Sequence, residues 1–173
     1  MKDSTSAIRI RQESPADIPA VRRVTSAAFL AAPHTSHTEE FIVDALRSAG
    51  KLTVSTVATD NDEVVGHVAI SPITINGEER SWYGLGPVSV LPGYQRRGIG
   101  SALVMDALVV LSGTGAAGCV VLGDPTFYER FGFKATAALT LPGVAPEQFM
   151  TVAFDSSVPS GTVAYHDAFK AQG

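Results

Sequence analysis

The chain has 173 residues, 45% of them apolar and 17% charged, with 13 Lys+Arg against 17 Asp+Glu and a formal charge of −4. That length suits one domain across residues 1–173, able to bury roughly 70% of its unfolded surface, and the composition excludes a disordered chain. The acidic balance excludes a dedicated nucleic-acid binder, which needs a basic face, while the lack of a signal-peptide pattern and of a membrane-length apolar run predicts a cytoplasmic protein with no membrane partner.

In chain order, Ala7 to Arg11 alternates apolar and polar residues and predicts an opening strand. A helix then starts at Ser14-Pro15 or Asp17, with Ile18, Val21, Val24 and Ala28 on one face. Ala31 to Thr35 is a connection, and Ser36 with Glu39 has the spacing of a capping box that opens a second helix through Ser48. Thr53 to Ala58 and Val64 to Ile70 read as strands joined by Asp60-Asn61-Asp62. Ile73-Thr74-Ile75, Asn76-Gly77 and Glu78 onward read as a further tight hairpin.

Tyr83 to Val90 is an apolar strand broken by Gly86-Pro87, which predicts a bulge or a place where two strands part, because proline donates nothing to a ladder. Ser101 to Leu111 is helical, with Ile99, Leu103, Ala107 and Val110 as its stripe; Asp106 is its one charged residue, so burial over much of its circumference is expected. Cys119 to Leu122 is a buried strand, Asp124 to Arg130 a short helix, and Phe149 to Phe154 the last strand, leaving 155–173 as a tail without an assigned structure. The core is expected over about 7–154. The order of elements predicts a mixed α/β single domain. Cys119, the sole cysteine, excludes an internal disulfide and reads as a small core residue.

Between a strand and a helix stands Gln95-Arg96-Arg97-Gly98-Ile99-Gly100. A helix start presents unpaired N–H groups and partial positive charge, the conditions for holding phosphate. Gly98 and Gly100 allow close approach, and the two arginines add charge. Gly93 to Gly98 has the glycine spacing of a P-loop, but Ile99 and Gly100 stand where that motif needs Lys and Ser or Thr. Gly113, Gly115 and Gly118 fit a dinucleotide fingerprint but follow a helix and precede a strand, the reverse of the required context. Spacing alone leaves two readings of Gln95 to Gly100: a phosphate site, or an ordinary turn with solvated arginines.

The segment from Val88 to Leu103 resembles the central motif of GNAT-type N-acetyltransferases, and Phe127-Tyr128-Glu129-Arg130-Phe131-Gly132-Phe133 resembles that family's Tyr-x-x-x-Gly-Phe element. The resemblance implies a single-domain α/β fold of the α+β type, with a central, mostly antiparallel sheet splayed at Gly86-Pro87 and flanked by helices. It implies acetyl-CoA as co-substrate, with the backbone of Val88, Ser89 and Val90 pairing with the pantetheine arm. The Gln95 turn, with the amides of Arg96, Arg97, Gly98, Ile99, Gly100 and Ser101, would cradle the pyrophosphate. Tyr128 matches the tyrosine that protonates the departing thiolate, and the Val88 N–H would stabilise the oxyanion. The implied function is N-acetylation of a primary amine, on a small molecule or a peptide, by direct attack without a covalent enzyme intermediate. A different acyl-CoA, or a regulatory module that binds CoA without turnover, stands as the alternative.

The chain departs from the family pattern in two places. Asp124-Pro125 stands close before Tyr128 where relatives carry an Asn further upstream on a longer helix, and Asp124 reads as a helix cap. Tyr83 to Pro87 holds no glutamate base, and Glu78 and Glu79 flank a turn, so no base is assigned. His67, Trp82 and Tyr83 read either as cleft-lining residues or as core. His34 and His37 lack the companion ligands a metal needs, and no metal is expected.

Overall fold

A computed structural model describes residues 7–30, 37–155 and 157–172. Strand β1 (Ile8–Gln12) leads through a 3-10 turn at Pro15–Asp17 into α1 (Ile18–Leu30), and α2 (Glu39–Ser48) follows. Then come β2 (Val54–Asp60), β3 (Glu63–Ile75), β4 (Trp82–Val90) and α3 (Ile99–Gly113). The chain continues through β5 (Gly118–Leu122), the short α4 (Pro125–Tyr128), β6 (Lys134–Ala135), β7 (Leu139–Thr140), β8 (Phe149–Ala153) and β9 (Gly161–Tyr165).

Strands β1, β2, β3 and β4 are neighbours in an antiparallel meander, β4 pairs β5 in parallel, and β5 pairs β8 antiparallel. The expected mixed fold with a mostly antiparallel sheet is present. Helix α3 covers one face, where Leu103, Val104, Ala107 and Leu111 pack on Val68, Ile70 and Leu85. Helices α1 and α2 cover the other, with Val21, Val24 and Val43 on Val57 and Val64.

Four expectations need correction. The segments Val64 to Ile70 and Ile73 to Ile75 are one strand, β3, because Pro72 sits where the ladder tolerates it. Residue Thr38, not Ser36, occupies the N-cap of α2; Ser36, the connection over 31–35 and His34 lie outside the described residues. Helix α3 is less enclosed than its composition suggests: Leu111 replaces Val110 in the buried stripe, and Met105 and Val109 are exposed at 60% and 71%. The last strand is β9, not Phe149 to Phe154; it pairs antiparallel with Ile73–Ile75 at the end of β3 and parallel with β7.

The entry to α1 rests on Asp17, whose carboxylate accepts both guanidinium N–H groups of Arg11, at 2.7 and 2.9 Å, and the backbone N–H of Ser14 at 2.8 Å. Those donors, the Arg11 guanidinium foremost, hold its carboxyl well below the usual carboxylate range. The folded value is depressed, so the contribution is present in full above the unfolded value of 3.8 and is lost as pH falls below it. Asp17→Ala is expected to cost about 1–3 kcal/mol near neutral pH, the scale for charged hydrogen bonds. The gap between variant and wild-type denaturant midpoints should shrink steadily below about pH 4.

Candidate active site

The site begins where β4 leaves β5. Residues Trp82 to Leu85 pair with Gly118 to Val121, and the pairing stops there. Beyond it, Val88, Ser89 and Val90 remain paired with Val68, His67 and Gly66 of β3. One β3 residue, Ala69, faces Gly86 and Pro87 together, which is a bulge at the expected place. The far edge of Val88 to Val90 is therefore open.

Alternation decides which backbone groups face the opening. The N–H of Leu91 donates to the Val65 carbonyl at 2.9 Å, toward β3. Two residues back, the groups of Ser89 face β3 as well, so those of Val88 and Val90 face the open edge. The hydroxyl of Ser89 is buried on the opposite side of the sheet. Of the three residues expected along the pantetheine arm, Val88 and Val90 are positioned to pair with an added chain and Ser89 is not.

Two cavities lie along this edge. One, of about 430 Å³, is lined by Val90, Gln95, Arg96 and Gly98, and by Ile99, Gly100 and Ser101 at the head of α3. The turn there is sharp: Arg96 has φ 64° and Gly98, the N-cap of α3, has φ 80°. The first bond back from the helix runs from Ala102 N–H to the Gly98 carbonyl at 3.1 Å. No backbone carbonyl among the described residues accepts from the amides of Arg96 to Ser101. The Gln95 amide donates to the Val90 carbonyl at 3.1 Å and ties the turn to the end of β4. Arg97 does not line this cavity; its guanidinium lies 5.2 Å from the centre of the Tyr94 ring.

Arg130 was not singled out from the sequence, although it stands in the quoted Tyr128 segment. Its guanidinium sits 4.9 Å from the Phe127 ring centre and 3.4 Å from Ser101 Oγ, and so brings a second positive charge to the cavity beside Arg96.

The other cavity, of about 400 Å³, is lined by Leu85 to Val88 on β4, Leu122 and Tyr128. Asp124 caps α4 by accepting from Thr126 N–H at 3.0 Å, the role expected for it. This short helix sets Tyr128 at the splay, its ring 4.9 Å from Phe127 and 5.9 Å from Phe133, edge to face in both cases. Gly123 is required beside it, because a Cβ there would overlap the Tyr128 ring. Burial pushes the Tyr128 hydroxyl up to about 12, so it carries its proton throughout the neutral range.

The remaining walls come from elsewhere: Phe29 on α1, Glu39 and Ile42 on α2, Leu141, Tyr165 on β9 and Phe169 beyond it. None was assigned a site role from the sequence.

Of three residues left open by the sequence, His67 and Trp82 belong to the core and Tyr83 is partly buried against it. His67 is fully buried, with Nε2 2.8 Å from Ser55 Oγ, and burial pushes it down to about 4, so it is neutral near pH 7. Trp82 is buried among Val120, Leu139 and Phe149. Tyr83 packs on the α3 cluster. None of the three lines the cavity beside Tyr128. Cys119 is buried and its thiol pushed up by burial, as suits a packing residue.

An acetyltransferase (GNAT) domain model matches residues 52–135. Over 167 residues the chain is 36% identical to the uncharacterized N-acetyltransferase YhbS of Escherichia coli strain K12, covering 92% of this chain and 97% of that protein. The chain belongs to the GNAT acetyltransferase family. This GNAT acetyltransferase is also similar to two solved structures. A GNAT family acetyltransferase from Brucella melitensis, in complex with acetyl-CoA, is 48% identical with a TM-score of 0.85, covering 95% of this chain and 99% of that one. The E. coli YhbS structure, in complex with CoA, is 34% identical with a TM-score of 0.87, covering 100% and 97%. Among the described residues no cluster of metal-ligating side chains occurs, and no helix is long and apolar enough to cross a membrane.

Proposed function

We propose that this acetyltransferase uses acetyl-CoA to acetylate a primary amine by direct attack. The observation that carries this reading is the open edge of β4, flanked at one end by unpaired helix-head amides and at the other by a protonated tyrosine. The residues fit the co-substrate. The amides of Arg96 to Ser101, with Arg96 and Arg130, suit a diphosphate. The groups of Val88 and Val90 suit the amides of a pantetheine arm, which would lie as an added strand. The two relatives solved in complex with acetyl-CoA and with CoA support the choice of co-substrate.

Acetyl-CoA supplies an acyl thioester with a thiol as leaving group. The amine attacks the thioester carbonyl through its free lone pair, forming a C–N bond. The N–H of Val88 faces the opening and donates to the carbonyl oxygen as negative charge collects there. As the C–S bond breaks, the Tyr128 hydroxyl donates toward sulfur. Full transfer from a phenol near 12 to a thiolate whose conjugate acid is about 8.5 is uphill alone. The attacking nitrogen balances it: once acylated it is strongly acidic, and it returns one proton to the tyrosine. The net change is amine plus acetyl thioester to amide plus thiol, and the enzyme emerges unchanged.

The test is to titrate CoA into the protein by calorimetry, and to follow thiol release from acetyl-CoA with a panel of amines, products being identified by mass. Saturable binding and an acetylated amine are expected. Absence of CoA binding would overturn the reading.

A further inference from the structure

The cavity beside Tyr128 has an uneven chemistry. Its described walls are apolar or aromatic apart from two phenols and one carboxylate, Glu39. Glu39 Oε2 is buried and has no hydrogen-bond partner among the described residues. Carboxylate oxygens withdrawn from water in a folded protein are normally paired, because leaving one bare forfeits its hydration with nothing in return. Glu39 stands in the first turn of α2, where the helix favours negative charge, with Ile42 one turn on in the same wall. A lone carboxylate in an apolar cavity calls for a cation with an apolar body.

Building on the reading above, we infer that the acceptor is an apolar primary monoamine, an aliphatic or aromatic amine whose single ammonium is received by Glu39 and gives up one proton to solvent water before its nitrogen attacks. The rest of the cavity discriminates. A second ammonium, as on a polyamine or an aminoglycoside, would lie against Leu85, Leu122, Leu141 and Phe169, with no second carboxylate among the described lining residues to meet it. An amino acid would bring its own carboxylate beside Glu39, and like charges there repel. The aromatic wall comes from the C-terminal segment, where the rings of Tyr165 and Phe169 lie 4.9 Å apart at 37°. Flat or flexible apolar groups pack against such a wall.

The experiment compares matched amines with acetyl-CoA as donor: hexylamine against hexamethylenediamine, and phenethylamine against phenylalanine. The monoamine of each pair should show kcat/KM at least about tenfold higher, since the rival buries an unpaired charge. Glu39→Gln should raise the KM for phenethylamine by about tenfold or more, while inhibition by uncharged phenethyl alcohol and affinity for CoA stay within about twofold. Equal or faster turnover of the diamine, or an unchanged KM in the variant, overturns the inference. A wild-type protein that binds CoA yet acetylates no monoamine overturns it too, and leaves CoA recognition standing. Failure to bind CoA removes both readings together.

Discussion

Gly98→Glu is expected to weaken CoA binding by about 10²-fold or more, the combined scale of lost helix-head attraction and charge-assisted hydrogen bonds. Gly98 is the N-cap of α3 at φ 80°, and among the described residues no atom beyond its own chain neighbours lies within 4 Å of where its Cβ would stand. A side chain there has room, so the substitution acts by charge and backbone preference rather than by collision. The backbone part is separable. Gly98→Ala carries the left-handed penalty of about 1–2 kcal/mol without the charge, and should cost stability with a much smaller loss of CoA affinity. Calorimetry with CoA, beside thermal unfolding of both variants without it, checks the pair. Equal CoA affinity in the Glu variant and wild type would place the diphosphate elsewhere.

Tyr128→Phe is expected to lower kcat by about 10²-fold, the lower range for a positioned acid, with CoA affinity nearly unchanged. The ring packs on Phe127 and Phe133, and phenylalanine keeps that packing, so loss of the hydroxyl is the main change. Because burial raises the Tyr128 hydroxyl to about 12, its deprotonation should impose no alkaline fall on the wild-type rate below that pH. A rise in rate with pH, from freeing the amine of its proton, should persist in the variant. Gly123→Ala tests position instead of chemistry: the added methyl group pushes into the Tyr128 ring and should reduce kcat while the phenol remains. A Phe variant with wild-type kcat would remove Tyr128 from the acid role.

Local patterns made much of the fold legible. The Gln95 to Gly100 turn, the stripe of α3 and the interruption at Gly86-Pro87 each announce themselves within a few residues, because capping, periodicity and proline act at short range. Strand β9 does not. Within Gly161 to Tyr165 only Val163 is buried, and its partners lie at Ile73 to Ile75, far back in the chain. That strand exists because a distant edge was waiting for it. The half of the site facing the acceptor shares this origin. Glu39 reads in the sequence as a capping residue, and nothing local says that one of its oxygens is left bare in a cavity closed by Tyr165 and Phe169. Arg130 stood within a recognised segment, yet its approach to Ser101 depends on how α4 docks against α3.

The doubled position on β4 also sets the phase of the strand. Tyr83 and Leu85 join the α3 cluster, and after the irregularity so do Val88 and Val90, a step of three where a regular ladder steps by two. The bulge absorbs the extra residue, so both halves of one strand show their apolar side to the same helix. Straightening the bulge while keeping both Gly86 and Pro87 would invert everything downstream, carrying Ser89 into the oily layer beneath α3 and turning Val88 and Val90 away from it, whereas deleting either residue would restore the two-residue step and keep Val88 and Val90 facing the helix without the bulge. A bulge across two neighbouring residues thereby holds the groove open and keeps the strand in frame.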